Sequence, residues 1–476
     1  MGLRRTTNPF PVSLYGTLAP NVAVYHAAFL DTIADVSVPP PLSLSPRRVC
    51  ALLFAFALCA AALHGAAGWA QSVSPVALGV SKWFPVSYGH PRTPQTGQVA
   101  VTLLGVAGFV VGLRLLPRVP ERFRHAVATL IGMLCILCTT GAHGMERGFA
   151  HPIAGRDPHA KPAQYWHDAA NQNLRTGADA LRFVQNYAAI QPTLGEHGRT
   201  HPSGAVLLFA LLRQVTGNRP ALAAVLLCAV SAGLAGWGFA RAGASPHAVL
   251  LFCALPAVQV YFCATLDALV CGLLFVALTR RRAGTVALLI ASFLTFGAVW
   301  VVPVLLAVEV SQTRRVPWRT LIVLAATGIG YMVLYAATGF DYGATFRWAS
   351  HSENPHGFRL LANPLSYVAT RLENVADLLF FGGAFLPWAV WHGLPTARRE
   401  SFTAWAAFGA GVASLCLLFL AGAYRTGETA RACLFLYPLA VCVADAAPLS
   451  TRARETLLIA TVALSGVIQC AGFYFW

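Results

Sequence analysis

Charged side chains are scarce in this sequence. Asp, Glu, Lys and Arg make up 11% of its 476 residues, whereas soluble proteins carry about 25%. Hydrophobic residues make up 57% and gather in long runs. In hydrocarbon every backbone polar group needs a partner within the segment, and a helix of about 20 apolar residues meets that need. The composition therefore excludes an ordinary soluble domain and predicts an all-α polytopic membrane protein.

Motifs for nucleotide-driven chemistry are also missing. The sequence contains no G-x-x-x-x-G-K-[ST] phosphate loop, no G-x-G-x-x-G, no H-E-x-x-H and no G-x-S-x-G nucleophile elbow. Most of the 12 Cys lie inside apolar runs and not in loops, so a secreted disulfide framework is not indicated. Soluble, nucleotide-dependent catalysis on the cytoplasmic side is therefore not predicted.

Nine apolar runs have the composition of membrane spans. Residues 248–278 and 285–310 lie between basic clusters, so each is predicted to form a hairpin of two short helices. One tilted helix is the alternative for residues 285–310. The total is then about 12–13 transmembrane helices. The nine runs are residues 49–70, 98–116, 126–143, 221–240, 320–338, 378–391, 404–421, 432–443 and 457–476.

The net charge of +16 is distributed in a way that indicates membrane topology and not nucleic-acid binding. The basic residues form short clusters between apolar runs, and all the clusters can face one side. The positive-inside rule makes that side cytoplasmic. We therefore predict a multi-pass protein of the inner (cytoplasmic) membrane, with residues 1–48 as a cytoplasmic tail. The clusters are Arg4 and Arg5; Arg47 and Arg48; Arg118, Arg122 and Arg124; Arg280, Arg281 and Arg282; Arg314, Arg315 and Arg319; Arg398 and Arg399; and Arg452 and Arg454.

This topology leaves polar segments on the outer side, at residues 71–97, 144–220, 339–377 and 422–431. Loops longer than about 15 residues usually have a function or are disordered. Residues 144–220 and 339–377 are rich in Trp, Tyr, His, Asn and charge, which favours an ordered surface. We predict short interfacial helices in the first large outer loop, residues 144–220.

The first large outer loop contains the candidate catalytic acid. Asp168 is flanked by Tyr165, Trp166 and Asn171. Aromatic rings beside a carboxylate suit a sugar site, because a ring can stack on the sugar while the acid binds a hydroxyl or its proton. A solvated loop acid is the alternative. Glu146 is the second candidate.

The segment Thr200-His-Pro-Ser-Gly204 precedes a predicted helix, Ser203–Val215. Its length, about 20 Å at 1.5 Å per residue, is too short for a span, so we expect it at the outer interface. Thr200 or His201 would cap it, with Pro202 in the first turn. Arg199 and His201 beside the helix N-terminus would form an anion site. A helix cap without ligand binding is the alternative.

A second cluster lies in residues 422–431, where Arg425, Glu428 and Arg431 stand at the outer mouth of a span. Charges this close to hydrocarbon are costly unless they are paired or functional. The arginines would suit a phosphate or diphosphate headgroup. A structural salt bridge between Glu428 and Arg431, which are i and i+3, is the alternative.

Two further residues are candidates. Asp267 lies inside an apolar run, and an intramembrane acid is a functional candidate by default. His351 lies in the outer loop 339–377 among Arg, Trp and acids. His351 and His356 have no specific metal-ligand spacing, so a divalent metal stays an open possibility and no metal ligand is assigned.

At these residues the sequence resembles the GT-C superfamily of membrane glycosyltransferases, in particular a bacterial branch similar to the protein O-mannosyltransferases. Thr200-His-Pro-Ser-Gly204 resembles the segment that ends the first outer loop in that family, and Asp168 followed by Ala169 resembles its acidic motif. Gly427-Glu-Thr-Ala-Arg431 resembles a Gly-Glu-x-x-Arg outer turn. The resemblance covers residues 125–476 and leaves residues 49–124 as an N-terminal transmembrane extension.

The resemblance implies transfer of a sugar from a polyprenyl-phosphate-linked donor to a glycan, lipid or protein acceptor at the outer face. Asp168, or else Glu146, would be the general base. The donor phosphate would meet Arg199, His201, Arg425 and Arg431, with Asp267, Glu428 and His351 in support. No organic cofactor is implied.

Two other classes remain open on sequence grounds. A multi-pass transporter or lipid flippase would need a polar path through the membrane, although the spans hold few charges, Asp267 being the clearest. A non-catalytic scaffold would use its outer loops to bind a partner. The sugar and the acceptor are not indicated by any motif.

Overall fold

The structure is a computed structural model that describes residues 41–73, 93–155, 164–263, 265–279, 281–354, 357–362, 364–423 and 429–471. The chain divides into two units, Met1–Leu42 and Ser43–Trp476, and the helices below belong to the second. Within these ranges every regular element is helical, which confirms the predicted all-α class. Most of the predicted tail, residues 1–48, and of the predicted outer segment 71–97 lies outside the described residues.

The first half of the described chain alternates long apolar helices with a series of short ones. A π-helical turn, Met145–Ala150, and the 3-10 turns Leu116–Arg118, Glu121–Phe123 and Gln191–Thr193 connect them. The helices are α1 (Pro46–Val73), α2 (Thr96–Leu115), α3 (Arg124–Gly141), α4 (His151–Ala154), α5 (Tyr165–Asn171), α6 (Gly177–Gln185), α7 (Tyr187–Ile190), α8 (Glu196–Arg199), α9 (Ser203–Val215) and α10 (Pro220–Ala242).

The second half contains the remaining apolar helices, several of which are broken. The 3-10 turn Phe296–Trp300 leads into one of them. The helices are α11 (Pro246–Ala254), α12 (Pro256–Tyr261), α13 (Leu266–Thr279), α14 (Arg281–Leu294), α15 (Val301–Thr313), α16 (Trp318–Thr338), α17 (Tyr342–Glu353), α18 (Arg359–Ala362), α19 (Pro364–Gly382), α20 (Leu386–Glu400), α21 (Phe402–Leu420), α22 (Thr429–Ala432), α23 (Leu436–Asp445) and α24 (Thr451–Cys470).

Seven helices in the described ranges are long and apolar enough to cross a bilayer, or eight if a bent pair is one span. The protein is therefore a multi-pass membrane protein by the length and composition of its helices. The bent pair replaces the predicted run 378–391, because the chain turns at Gly383 (φ +74°) and the two halves meet at 88°. The total of 12–13 spans stays a prediction. The seven are Thr96–Arg118, Glu121–Gly141, Pro220–Ala242, Phe296–Thr313, Trp318–Thr338, Phe402–Leu420 and Thr451–Cys470.

Residues 248–278 differ from the predicted hairpin of two helices, since they form parts of three helices, α11, α12 and α13. The break at Leu255 leaves carbonyl groups without helical partners, and buried side chains supply the bonds. Gln259 donates to the Cys253 carbonyl at 2.6 Å, and the Ser465 hydroxyl donates to the Ala254 carbonyl at 2.6 Å. The broken segment is thus satisfied inside the bundle.

Basic helix ends gather at one end of the bundle. The His125 ring lies 2.9 Å from the Ala244 carbonyl oxygen, which joins the start of α3 to the end of α10. The Ser245 amide donates to Asp445 at 2.8 Å, and Arg454 pairs with Asp445 at 3.6 Å, so the end of α23 and the start of α24 meet there too. The described residues between α3 and α10, 144–155 and 164–219, lie at the opposite end.

The close packing of α20 on α23 can be tested at Gly393. A Cβ at Gly393 would overlap the Val443 carbonyl oxygen, whereas a Cβ at Gly409 on α21 would meet nothing within 4 Å. We expect Gly393→Ala to lower stability by about 1–3 kcal/mol through overpacking, seen as a lower melting temperature in detergent. Gly409→Ala is the control. Equal melting temperatures for the two variants would contradict the packing.

Candidate functional site

Helix α5 brings Asp168 into the protein, because one side of this short helix packs against α9. The Tyr165 and Phe209 rings stack with centroids 5.1 Å apart. Arg213 donates to the Trp166 carbonyl at 3.2 Å, and its guanidinium lies 5.0 Å from the centre of the Trp166 ring. The predicted helix Ser203–Val215 is confirmed at both ends and provides this support.

Asp168 is buried, with 3% of its surface exposed, so it is not a solvated loop acid. Its Oδ1 accepts a hydrogen bond from the Gly195 amide at 2.8 Å. Its Oδ2 is also buried but has no hydrogen-bond partner among the described residues. Burial raises the pKa of Asp168, against the opposing effects of the Gly195 amide and His167. A Cβ at Gly198 would overlap Oδ2, so the backbone approaches this oxygen closely.

Two neutral histidines lie beside the Tyr165 ring. The Tyr165 ring centroid is 5.9 Å from that of His197 and 5.4 Å from that of His201. The Tyr187 hydroxyl donates to the Gly198 carbonyl at 2.9 Å and to the His201 carbonyl at 2.6 Å. These bonds hold the segment that contains both histidines. Burial lowers the pKa of both His197 and His201 to about 3. Each is therefore uncharged near neutral pH.

An ion pair from distant parts of the chain reaches the same place. Arg431 on α22 lies 3.5 Å from Asp267 on α13, measured from Nε to Oδ2, and about a fifth of each side chain is exposed. The positive charge of Arg431 contributes to the lowered pKa of His197 and of His201. After burial, Asp267 is the largest contributor to the raised pKa of Tyr165. Residues 165–201, 267 and 431 thus form one electrostatic neighbourhood, which is the candidate site.

Arg425 and Glu428, predicted to accompany Arg431, lie outside the described residues. The Arg199 side chain is half-buried, and its Nε has no hydrogen-bond partner among the residues described. Its carbonyl accepts from Gln191 at 2.8 Å; Gln191 also donates to the Thr345 carbonyl at 3.2 Å. This contact brings α17 to the site.

Two candidates have exposed side chains. Glu146 lies in the π-helical turn Met145–Ala150, pairs with His151 at 3.3 Å and keeps 83% of its side chain exposed. His351 lies on the exposed side of α17. Burial separates Asp168 from Glu146: the Asp168 carboxyl is buried and its pKa is raised, which favours a general base, whereas the Glu146 side chain is largely exposed.

The predicted cap of α9 is wrong. Pro202 is itself the N-cap residue, and no side chain caps the helix. Thr200 donates instead to the Glu196 carbonyl at 3.0 Å, and the His201 Nδ1 lies 3.0 Å from the His197 carbonyl oxygen. Both side chains therefore contact carbonyls of the preceding helix α8 and not the amides of α9. A Cβ at Gly204 would overlap the Phe293 carbonyl oxygen, so this helix start packs against an acceptor.

A buried polar stripe on α19 was not assigned a role from the sequence. Thr370, Glu373, Asn374 and Asp377 are all buried and share one face at i, i+3, i+4 and i+7. The Thr429 hydroxyl donates to Asn374 at 2.8 Å. This helical spacing was the available signal, but residues 339–377 were interpreted as an outer loop.

Among the residues described, no three His, Cys, Asp or Glu side chains are grouped so that they could hold a metal ion. Searches against protein-family models, curated proteins and solved structures found no match. The arguments that follow therefore rest on the residues themselves.

The burial of Asp168 predicts a pH dependence. A carboxyl whose pKa rises on folding binds more protons in the folded state, so its ionisation destabilises the fold as pH rises through that pKa. We expect Asp168→Asn to gain melting temperature relative to the wild type as the pH rises above about 4, the ordinary pKa of an aspartate.

Asp179 is the matched control, because hydrogen bonds from Thr176 lower the pKa of this partly exposed carboxyl. Its ionisation stabilises the fold as pH rises, so Asp179→Asn should change in the opposite direction. A parallel change in the two variants would contradict the burial of Asp168.

Proposed function

We propose that this protein is a glycosyltransferase of the inner membrane that moves a sugar from a polyprenyl-phosphate-linked donor to an acceptor at the outer face. The observation that carries the proposal is the Asp168 carboxyl, which is buried, has a raised pKa and keeps one oxygen without a hydrogen-bond partner among the described residues. That oxygen is suited to receive a proton from an acceptor hydroxyl.

The reaction would be a single displacement. The Asp168 carboxylate takes the acceptor proton as the acceptor oxygen forms a bond to the anomeric carbon of the sugar. The bond from that carbon to the donor phosphate breaks, and its electron pair leaves with the phosphate. The configuration at the sugar inverts. Negative charge therefore grows on the phosphate, where a fixed cation lowers the barrier most.

Arg431 would supply that cation. It belongs to α22, which precedes the apolar helix α23, and it shares an ion pair with Asp267 at the start of the apolar helix α13. A polyprenyl chain could remain in the bilayer while its headgroup reaches this pair. The Tyr165 phenol, whose pKa is raised, would stay protonated and could donate a hydrogen bond to the phosphate.

Orientation follows from the basic helix ends. The end of the bundle that contains Arg124, Arg241 and Arg454 would face the cytoplasm under the positive-inside rule. The candidate site lies at the opposite end, so transfer would take place outside. The N-terminus would be cytoplasmic, as predicted.

A transporter or lipid flippase is the second candidate, favoured by the broken helices and their polar surroundings. The Gln469 side chain donates to the Gln259 carbonyl at 2.7 Å, and the His143 ring lies 2.8 Å from the Gln469 Oε1. Discontinuous helices with polar side chains at mid-membrane are common in transporters. The Gln469 bond satisfies a carbonyl near the end of the short helix α12, so it needs no transported substrate.

The test is sugar transfer in proteoliposomes that contain a polyprenyl-phosphate sugar. We expect Asp168→Asn to reduce kcat by about 10²–10⁴-fold, the usual contribution of a general base, with little change in donor KM. Asp179→Asn is the matched control, because this acid is partly exposed and takes part in the cap of α6.

Wild-type transfer by Asp168→Asn would remove Asp168 from the mechanism. Movement of a fluorescent polyprenyl phosphate across the bilayer without transfer would favour the flippase instead.

A further inference from the structure

The reaction as described above assigns no part to the buried polar stripe on α19, which consists of Thr370, Glu373, Asn374 and Asp377. Carboxyl and amide groups are costly to bury in a membrane helix unless they bind specific partners. Two of these residues bind the same short segment: Asp377 accepts from the Ala430 amide at 2.7 Å, and Asn374 accepts from the Thr429 hydroxyl at 2.8 Å. Both bonds end on residues directly before Arg431.

A third bond holds the chain after Arg431. The Tyr437 hydroxyl donates to the Leu378 carbonyl at 3.0 Å, again on α19. The backbone of residues 429–437 is therefore tied to one helix on both sides of the arginine. Because Arg431 has a long flexible side chain, the position of its backbone decides which groups the guanidinium can reach.

The same helix also contacts the segment that leads to Asp267. The Phe381 ring on α19 lies 5.1 Å from the Tyr261 ring at the end of α12, measured between centroids. A Cβ at Gly383 would lie 3.3 Å from Pro256 at the start of α12. Helix α19 and the residue after it thus contact both the turn that carries Arg431 and the helix that precedes Asp267 in the chain.

We propose that Asn374 and Asp377 are positioning residues that hold the Thr429–Ala432 turn so that Arg431 stays in the candidate site. They act on the donor phosphate only through Arg431. The kinetic consequence rests on the proposed glycosyltransferase function, whereas the structural consequence does not.

Thr429 offers the sharpest test, because two substitutions distinguish the effect of its hydroxyl group from the effect of its side-chain shape. Thr429→Val keeps the shape and removes the donor, which leaves the Asn374 acceptor without this bond. Thr429→Ser keeps the donor. We expect amide hydrogen exchange in residues 429–437 to become about tenfold faster in Thr429→Val, the size of one net hydrogen bond, and to stay near the wild-type rate in Thr429→Ser. The measurement uses the full chain in nanodiscs and needs no substrate.

Kinetics then test the role of the turn. We expect Thr429→Val to raise the KM for a polyprenyl-phosphate sugar by about tenfold, with Thr429→Ser close to the wild type. In an Arg431→Ala background, Thr429→Val should add no further loss, because the two changes remove one interaction.

The outcomes separate the two proposals. Unchanged exchange in Thr429→Val, or additive losses with Arg431→Ala, would overturn the positioning role. Faster exchange in a protein that transfers no sugar would leave the holding of the turn intact and refute only the glycosyltransferase.

Discussion

The fold depends on one constraint: a backbone amide or carbonyl inside hydrocarbon must find a partner within the protein. Regular helices satisfy it by themselves, but the chain breaks at Leu255, in its most deeply buried part. There Gln259 and Ser465 bond the carbonyls of Cys253 and Ala254. Because these bonds come from α12 and α24, the break fixes how the two helices sit against α11.

Ionised groups obey the same constraint more strictly, since each one that leaves water needs a counter-charge or several hydrogen bonds. At the basic end of the bundle, Asp445 bonds the Ser245 amide and pairs with Arg454. At the other end, Asp267 faces Arg431. In the part of the chain that the structure describes, the Asp168 Oδ2 has no hydrogen-bond partner. Such an unsatisfied acid costs stability, and sites of this kind are common where chemistry is done.

Much of the fold could be predicted from the sequence, because hydropathy alone locates helices in a membrane protein. The run 98–116 is α2, and Ser203–Val215 was placed at the correct residues by Pro202 before it and Gly217 after it. The cap of that helix was not predictable in the same way. The side chains of Thr200 and His201 could bond either to amides of the following helix or to carbonyls of the preceding residues, and they do the latter. The backbone conformation around these two residues decides which of these groups the side chains reach.

The candidate site could be predicted only in part. Asp168 and Arg431 were singled out by their neighbours in sequence, but whether an acid is buried depends on helices far away in the chain. The bend at Gly383 and the stripe of α19 were missed, because an apolar run with a polar start was interpreted as a loop followed by a span. Periodicity at i, i+3, i+4 and i+7 would have indicated a helix with a polar buried face.

Helix α19 also holds the two ends of the segment that precedes α22. Arg371 donates to the Ala423 carbonyl at 2.6 Å, and Asn374, three residues further on, accepts from Thr429. The two ends of the segment between them, which contains Arg425 and Glu428, are therefore anchored on a single turn of one helix. The entropy of closing a loop changes only slowly with its length once its ends are fixed. The spacing of Ala423 and Thr429 is therefore set by α19, and a change in the number of residues between them should cost the bundle little.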